Sequence, residues 1–170
     1  MAYRNKTYVI FDGDNDMWAY ARMKGWKALK NIDFNFIDAH DLKPLTQQAK
    51  SEAYIKGRLL ERIKNAKQVI VLVGEKTKNL YRFVRWEIEQ SQNLDLPIVV
   101  ANLNKTRSID NTLCPPILKG GNAVHISFRM KMIKYALDYW PTYYNNSVDK
   151  TKSDDWHYPA SVYKELGLDD

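Results

Sequence analysis

One acid in an otherwise apolar helical pattern is the strongest chemical signal in this sequence. Over residues 79–93, with about 100° of rotation per residue, Glu87 projects from the middle of the apolar face. A carboxylate in that setting loses hydration, its pKa tends to rise, and such groups cluster at functional sites. A structural alternative stays open, in which backbone donors or the cations Arg82, Arg85 or Lys76 satisfy the acid. The residues that define the apolar face are Leu80, Phe83, Val84 and Ile88.

Acidic and polar residues also follow two predicted strands. Asp12 and Asp14 come after the first strand, and Asp38 and His40 come after the second. Ligands of open α/β sheets bind beyond the carboxyl ends of the strands, at the point where strand order reverses. We therefore expect these four residues to contact a ligand, with the acids offering acceptors to hydroxyl groups, such as those of ribose, or ligands to Mg²⁺. Alternatively, an Asp beside a helix start serves only as a cap, which applies to the run from Asp14 to Asp16.

Several other chemistries have no support in the sequence. No G-x-G-x-x-G motif opens the first helix and no P-loop motif occurs, which disfavours Rossmann dehydrogenases and P-loop nucleotidases. The G-x-S-x-G elbow of serine hydrolases is also absent. Cys114 is the single cysteine and the 3 histidines do not cluster, so we expect no disulfide and no metal site.

Runs of apolar and β-branched residues predict strands that alternate with helices. The run over residues 69–73 is uninterrupted, which is typical of a parallel strand covered on both faces. Together these elements predict an α/β fold, a three-layer doubly wound sheet of about five mainly parallel strands. The predicted strands are residues 7–11, 33–38, 69–73, 97–101 and 123–128.

Helical spacing of apolar residues recurs between these strands. Ser51 is a candidate N-cap for the second helix, and Pro141 is expected to end the fourth. Between the last two strands, residues 102–122 form a long irregular stretch, which hints at an extra function or packing surface. The predicted helices are residues 16–30, 51–66, 79–93 and 130–140. The apolar stripe of the first helix comprises Met17, Trp18, Ala21, Ala28 and Leu29.

We expect one domain over residues 1–141 and a C-terminal extension over residues 142–170. The extension is polar and loop-like up to Trp156, and residues 161–166 then predict a short helix that packs on the same domain. Gly167 stands where it would cap that helix.

Composition narrows the set of partners. The 170 residues are 45% hydrophobic, and no apolar run approaches the roughly 20 residues of a membrane-spanning helix. The formal net charge of +6 is spread along the chain instead of forming a basic stripe. We therefore expect a cytoplasmic protein that binds neither membranes nor nucleic acid.

These segments together resemble the TIR domain, and more closely the TIR-like family of small prokaryotic proteins that includes the TIR subunit of Thoeris anti-phage defence. The resemblance runs from about Tyr8 to Trp140 and implies a flavodoxin-like α/β arrangement. Its most specific mark is the helix motif Phe83-Val-Arg-Trp-Glu-Ile-Glu89. Further marks lie in the first three strands: Val9-Ile-Phe-Asp12, Phe36-Ile-Asp38 and Val69-Ile-Val-Leu-Val-Gly74.

The resemblance implies a reaction and a site. Active members of the family cleave NAD at the nicotinamide-ribose bond with a glutamate on this helix, and Glu87 matches it, with Phe83 where a Trp is common. NAD is then a substrate, no cofactor is needed, and a cyclic ADP-ribose isomer carries the signal to a downstream effector. Phe11, Phe83 and Trp86 are candidate stacking partners, although the first loop lacks the family's Ser-Tyr or Ser-Phe pair. The stretch after Asp38 resembles the loop that reaches a neighbouring subunit in TIR assemblies, which predicts a homo-oligomer.

Three other functions stay open at this stage. Reaction of the intermediate with water would make the protein an NAD hydrolase that releases ADP-ribose. A nucleoside deoxyribosyltransferase-like enzyme also uses a carboxylate on an α/β sheet, and it would exchange bases without consuming NAD. A non-catalytic TIR scaffold or receptor module would only self-associate, and its function would survive the substitution Glu87→Gln.

Overall fold

A parallel sheet runs through the part of the chain that the structure describes, residues 6–30, 34 and 51–169 of the computed structural model. Within these residues the sheet has five strands, and their spatial order follows the chain order. The carboxyl ends of all these strands therefore lie at one edge of the sheet. The strands are β1 (Thr7–Ile10), β2 (Gln68–Val73), β3 (Ile98–Asn102), β4 (Val124–Ser127) and β5 (Trp156–His157).

Helices connect and cover these strands. The α2 helix begins at the predicted N-cap, where the Ser51 hydroxyl accepts a hydrogen bond of 3.2 Å from the amide of Tyr54. Among the described residues, no helix has the length and apolar character that crossing a membrane requires. The helices are α1 (Met17–Ala28), α2 (Glu52–Asn65), α3 (Val84–Asn93), α4 (Met130–Ser147) and α5 (Ala160–Glu165), with 3-10 turns at Thr77–Asn79 and Pro116–Leu118.

The helices lie on both faces of the sheet, which makes three layers. Successive strand residues point to opposite faces. Val9 therefore packs in the apolar cluster of α1 and α4, whereas Tyr8 and Ile10 pack in the cluster of α2 and α3. The two clusters share no residue. This arrangement confirms the predicted three-layer doubly wound α/β fold.

One strand of the structure falls where a loop was predicted. β5 has two residues, and the amide of Trp156 donates a hydrogen bond of 3.0 Å to the carbonyl of Ala123. A strand this short has no detectable alternation of apolar and polar residues, so only its pairing with β4 defines it. The predicted strand over residues 33–38 lies outside the described residues, apart from Phe34, which is buried.

The α4 helix continues through Pro141, so the prediction that this proline ends the helix was wrong. A proline inside a helix removes one backbone hydrogen bond and costs about 3 kcal/mol or more. Packing offsets that cost, because Trp140, Pro141 and Tyr144 are all buried. The Trp140 ring also lies 6.0 Å from the ring of Trp156. The helix continues past the proline and ends at Ser147.

The chain that follows residue 141 packs on the sheet. Tyr163 of α5 is fully buried, and its hydroxyl accepts a hydrogen bond of 3.1 Å from the amide of Ser127. Gly167 follows α5 with a φ of +74°, which confirms the predicted glycine cap. The α4 helix runs across residue 141, the predicted boundary. The division into a domain and a C-terminal extension stays a prediction.

The buried face of α1 is not the predicted stripe. Tyr20 and Met23 face the core. The stripe residues Met17, Trp18 and Leu29 are instead about half exposed. Apolar side chains occur on nearly all sides of this helix, so their spacing does not single out the face that packs.

The α3 helix begins later than predicted. A 3-10 turn over Thr77–Asn79 and an irregular turn precede it, and Phe83 takes the N-cap position. Glu87 therefore lies in the first turn of the helix. Anionic side chains are stabilised there by the partial positive charge at the helix N-terminus.

Candidate active site

A cavity of about 490 Å³ lies at the carboxyl end of β1, beside α2 and the start of α3. This is where ligands of an open α/β sheet are expected to bind. Ile55 and Leu59 contribute an apolar wall from α2. Five residues that the sequence nominated for the site also line the cavity: Phe11, Asp12, Asp14, Phe83 and Glu87.

Glu87 is almost completely removed from solvent, with 2% of its surface exposed, yet it lines the cavity. It shares the buried face of α3 with Val84 and Ile88, as predicted, whereas Leu80 and Phe83 of the predicted face precede the helix. Glu89 is exposed on the same helix. Burial raises the pKa of the Glu87 carboxyl to about 8, and a hydrogen bond from Tyr8 opposes that rise.

The Tyr8 hydroxyl donates a hydrogen bond of 2.5 Å to Oε2 of Glu87. Tyr8 lies in β1 and has no exposed surface. Sequence reasoning missed this residue, because it stands in a strand run that was interpreted only as apolar. A phenol among aliphatic residues, at a position that faces α3 together with Ile10, was the available signal.

Asp12 organises the loop after β1. Its carboxylate accepts hydrogen bonds from the amides of Asp14 at 3.0 Å and Asn15 at 3.2 Å, and from the Asn15 side chain at 2.6 Å. Both oxygens are therefore engaged, and only 1% of the residue is exposed. These bonds give Asp12 a structural role in the loop, and its contact with a ligand stays a prediction.

Asp14 and Asp16 differ sharply in their surroundings. Asp14 is exposed and lines the cavity. Asp16 stands at the N-cap position of α1 without a side-chain capping bond. It is buried, and burial together with the charge of Asp12 raises the pKa of its carboxyl above the ordinary value. Asp16 therefore occupies the predicted cap position, but its carboxylate accepts no capping hydrogen bond.

Of the three candidate stacking residues, Trp86 does not line the cavity, and the other two are not equivalent. The Phe11 ring is 2% exposed and stacks on Tyr20, with centroids 4.6 Å apart and an angle of 19° between the planes. Phe83 is partly buried at the N-cap of α3. Because Phe11 is already paired inside the core, Phe83 is the better placed of the two to meet a ligand ring.

A family comparison agrees with this geometry. The family described as the TIR-like domain of the Thoeris protein ThsB matches residues 8–108, more than half of the chain. The chain belongs to this family. The matched region runs from Tyr8 in β1 to just beyond β3, and it contains Glu87. No curated protein matches the chain.

Membership in the TIR-like family confirms the resemblance noted in the sequence. It supports a TIR-domain role in anti-phage defence. The matched residues include β1, the loop after it, α2 and α3, which are the elements that build the cavity. The family match thus covers the whole described wall of the candidate site.

The rim of the cavity in this TIR-like domain carries Arg82, which the sequence suggested only as a partner of Glu87. The Glu87 carboxyl instead accepts its hydrogen bond from Tyr8. Arg82 is exposed and is the one cationic residue among the described residues that line the cavity. Its Nε lies 3.2 Å from Oε2 of Glu52 at the start of α2. Oε1 of the same glutamate lies 2.8 Å from Nζ of Lys56, and that bond lowers the pKa of Glu52. The ion pair between Arg82 and Glu52 therefore joins the turn before α3 to the start of α2, and both of these elements border the cavity.

Two predicted contact residues, Asp38 and His40, lie outside the described residues. Their roles stay predictions, as does the use of the loop after Asp38 in assembly. Within residues 6–30, 34 and 51–169, no group of three or more metal-ligating side chains is gathered. What the described residues do gather at the cavity is the buried carboxyls of Glu87 and Asp12, the phenol that donates to Glu87, an exposed acid and a cation.

Proposed function

We propose that this protein cleaves the bond between nicotinamide and ribose in NAD, with Glu87 as the catalytic carboxylate. One observation carries the proposal: a carboxyl that is 2% exposed forms part of the wall of a cavity at the carboxyl edge of the sheet. Buried acids with a perturbed pKa in a cavity are frequent at active sites. Membership in the TIR-like family supports the same assignment.

The reaction makes one main demand on the protein. Nicotinamide leaves as a neutral molecule from a cationic pyridinium, so its departure needs no general acid. The ribosyl carbon becomes oxocarbenium-like as the bond breaks, as it does in glycoside hydrolysis. A preorganised carboxylate beside that carbon stabilises the growing positive charge, and one such group is commonly worth about 3 kcal/mol or more of barrier.

The ionised form of Glu87 is the one that can do this. Its pKa of about 8 means that the empty site holds mostly the protonated acid at neutral pH. Three features favour ionisation: the first-turn position on α3, the Tyr8 hydrogen bond and, once bound, the positive charge of the pyridinium. Substrate binding therefore helps to generate the catalytic anion.

Other residues are proposed to hold the substrate. Asp14 is exposed beside the cavity and offers acceptors to ribose hydroxyls, while Arg82 offers a guanidinium to the diphosphate. Phe83 is proposed to pack against a ring of the substrate. Asp38 and His40 are proposed as further ribose or phosphate contacts. Asp12 acts through the loop, and Phe11 supports that loop from the core.

The proposed product is a cyclic ADP-ribose isomer that signals to a downstream effector in anti-phage defence. The oxocarbenium-like intermediate partitions between water and an internal nucleophile of the ADP-ribose. Exclusion of water favours cyclisation, and Ile55, Leu59 and Leu80 give one wall of the cavity an apolar surface. Hydrolysis to ADP-ribose is the outcome if water enters. We place the reaction in the cytoplasm and in a homo-oligomer formed through the loop after Asp38.

The test compares two glutamates on the same helix. Purified protein is incubated with NAD, the nucleotides are resolved by chromatography and mass, and the assay is repeated with Glu87→Gln and Glu89→Gln. Loss of nicotinamide release in the first variant and its retention in the second is expected, because only Glu87 is buried at the cavity.

The same three proteins are expressed in phage-challenged cells, where NAD loss and new nucleotides are measured, so that a requirement for infection is covered. A Glu87→Gln variant that consumes NAD and protects cells as well as the wild type would refute the proposal. Protection of cells by both the wild type and Glu87→Gln, without NAD loss in either, would favour the non-catalytic scaffold. Base exchange on deoxynucleosides without NAD loss would favour the transferase alternative.

A further inference from the structure

We infer that Tyr8 is a positioning residue for Glu87: its hydroxyl holds one carboxyl oxygen and leaves the other for the substrate. The inference rests on the proposed function and extends it to a residue in β1. The hydrogen bond of 2.5 Å joins Tyr8 to Oε2 across 79 residues of sequence. Oε1 makes no hydrogen bond within the described part of the chain and is the oxygen left for a ligand.

The Tyr8 side chain is rigidly held. It has no exposed surface and belongs to the apolar cluster that also contains Ile63 of α2 and Ile88 of α3. A ring packed between a strand and two helices cannot follow a moving carboxyl, so it fixes the rotamer of Glu87 instead. The position of the free oxygen relative to the cavity is therefore set by β1 as well as by α3.

Tyr8 remains a proton donor throughout the range in which Glu87 titrates. Burial, followed by the charge of Glu87, raises the pKa of the Tyr8 phenol well above its ordinary value. A donated hydrogen bond favours the ionised carboxylate over the protonated acid. The Tyr8 hydroxyl therefore lowers the pKa of Glu87 against the rise caused by burial.

Other charged groups near this pair act more weakly. From α2, Arg62 lowers the pKa of Tyr8, whereas on α3 itself Arg85 and Glu89 are exposed. The loop after β1 brings Asp12 and Asp14 to the same cavity, and the turn before α3 brings Arg82. Burial and the Tyr8 bond are the two resolved causes of the Glu87 shift.

The decisive variant is Tyr8→Phe, which keeps the ring and removes the hydroxyl. Without the donor the pKa of Glu87 rises further, so the acid limb of the kcat/KM profile for NAD cleavage should move to higher pH by about one unit. At neutral pH we expect kcat to fall about tenfold with little change in KM, and to recover at alkaline pH. Tyr163→Phe is the matched control, because that buried hydroxyl bonds the amide of Ser127 on the other face of the sheet.

A second measurement does not depend on activity. Carbon NMR of the protein with labelled glutamate carboxyls, with Glu87→Gln used for assignment, reports the pKa of Glu87 directly. Tyr8→Phe should raise that pKa by about one unit relative to the wild type and to Tyr163→Phe. Thermal unfolding confirms that each variant is folded before titration.

The outcomes separate this inference from the proposed function. Wild-type protein without NAD cleavage in either assay would refute the proposed function, while the NMR titration would still decide the role of Tyr8. An unchanged Glu87 pKa in Tyr8→Phe, or an activity loss of equal size at every pH, would overturn the positioning role. A shifted profile with a shifted carboxyl titration supports it.

Discussion

The carboxyl group of Asp16 rests directly against the backbone of Gly74, in the space that a side chain at position 74 would need. Asp16 leads into α1 and Gly74 follows β2, so the contact joins two loops at the carboxyl edge of the sheet. The loop that ends at Asp16 has the Glu87 cavity on one side. Asp16 and Gly74 themselves line a second cavity of about 440 Å³. Glycine is needed at position 74 because the Asp16 carboxyl approaches its backbone too closely for a side chain.

Gly74→Ala should therefore destabilise the fold. The new Cβ would lie 2.7 Å from Cγ of Asp16, which forces the buried Asp16 carboxyl to move. We expect a loss of about 1–3 kcal/mol in the free energy of unfolding, measured by urea denaturation. Gly57→Ala inside α2 is the control of opposite sign, since nothing lies within 4 Å of its added Cβ, and it should stabilise the protein by about 0.5–1 kcal/mol. Equal stability of Gly74→Ala and wild type would contradict the contact.

Glu87→Gln should change how stability depends on pH. The folded protein holds the Glu87 proton up to a pKa of about 8, whereas the unfolded chain releases it near the ordinary value of 4.5. The wild type binds more protons when folded between these values, so the acid's contribution to stability is fully present below the lower one and is lost as pH rises to the upper one. Glu87→Gln carries no titrating group at this position, so its stability does not fall with pH for this reason. Its stability relative to wild type should rise from pH 5 to pH 9, by an amount on the order of 3 kcal/mol.

Urea unfolding at several pH values measures that difference. Glu89→Gln is the control on the same helix, and because Glu89 is exposed its stability difference from wild type should stay flat over the range. A flat difference for Glu87→Gln as well would mean that the carboxyl is ionised in the folded protein at low pH.

Arg82→Gln should weaken binding of substrates that carry a diphosphate. Loss of the guanidinium at the cavity rim is expected to raise KM for NAD by roughly threefold to tenfold. Nicotinamide riboside has no phosphate, so its KM should change little. Arg85→Gln is the matched control, because Arg85 is exposed on the next turn and does not line the cavity. Equal losses for both substrates would indicate that Arg82 acts on the shape of the site.

Alanine at Asp12 and at Asp14 should have different effects. Asp12→Ala removes the acceptor of three hydrogen bonds in the loop, and we expect a loss of about 1–3 kcal/mol in stability. Asp14→Ala changes an exposed residue and should stay within about 0.5 kcal/mol of wild type, while KM for NAD rises. Denaturation and steady-state kinetics on both variants make the comparison. An Asp12→Ala protein as stable as the wild type would contradict the structural role assigned to Asp12.

Much of the fold was predictable because its signals are local. The uninterrupted apolar run of β2 predicted a strand covered on both faces, and the Ser51 cap and the stripe of α2 predicted that helix. Glu87 was identified as a buried acid for the same reason, since Val84 and Ile88 lie within one turn of it on a single helix. Side-chain spacing along one element is visible in the sequence whenever one face of that element is buried.

The buried face of α1 and the length of α4 were not predictable in this way. Apolar residues lie on nearly every side of α1, so its orientation depends on what covers it. Phe11 after β1 stacks on Tyr20 of α1 and so sets the buried face. Pro141 favours a helix end locally, but burial of Trp140 and Tyr144 carries the helix onward. In both cases packing between distant segments outweighs a local preference.

Amino-acid order alone established the alternation of strands and helices, the edge of the sheet where a ligand should bind, and the acid set into an apolar helix face. The tertiary structure alone decided which groups meet that acid. Tyr8 reaches Glu87 across 79 residues, and Asp16 reaches Gly74 from the loop that follows a different strand. The reason is physical: periodicity reports the neighbours within one element, whereas strand order and helix packing set distances between elements.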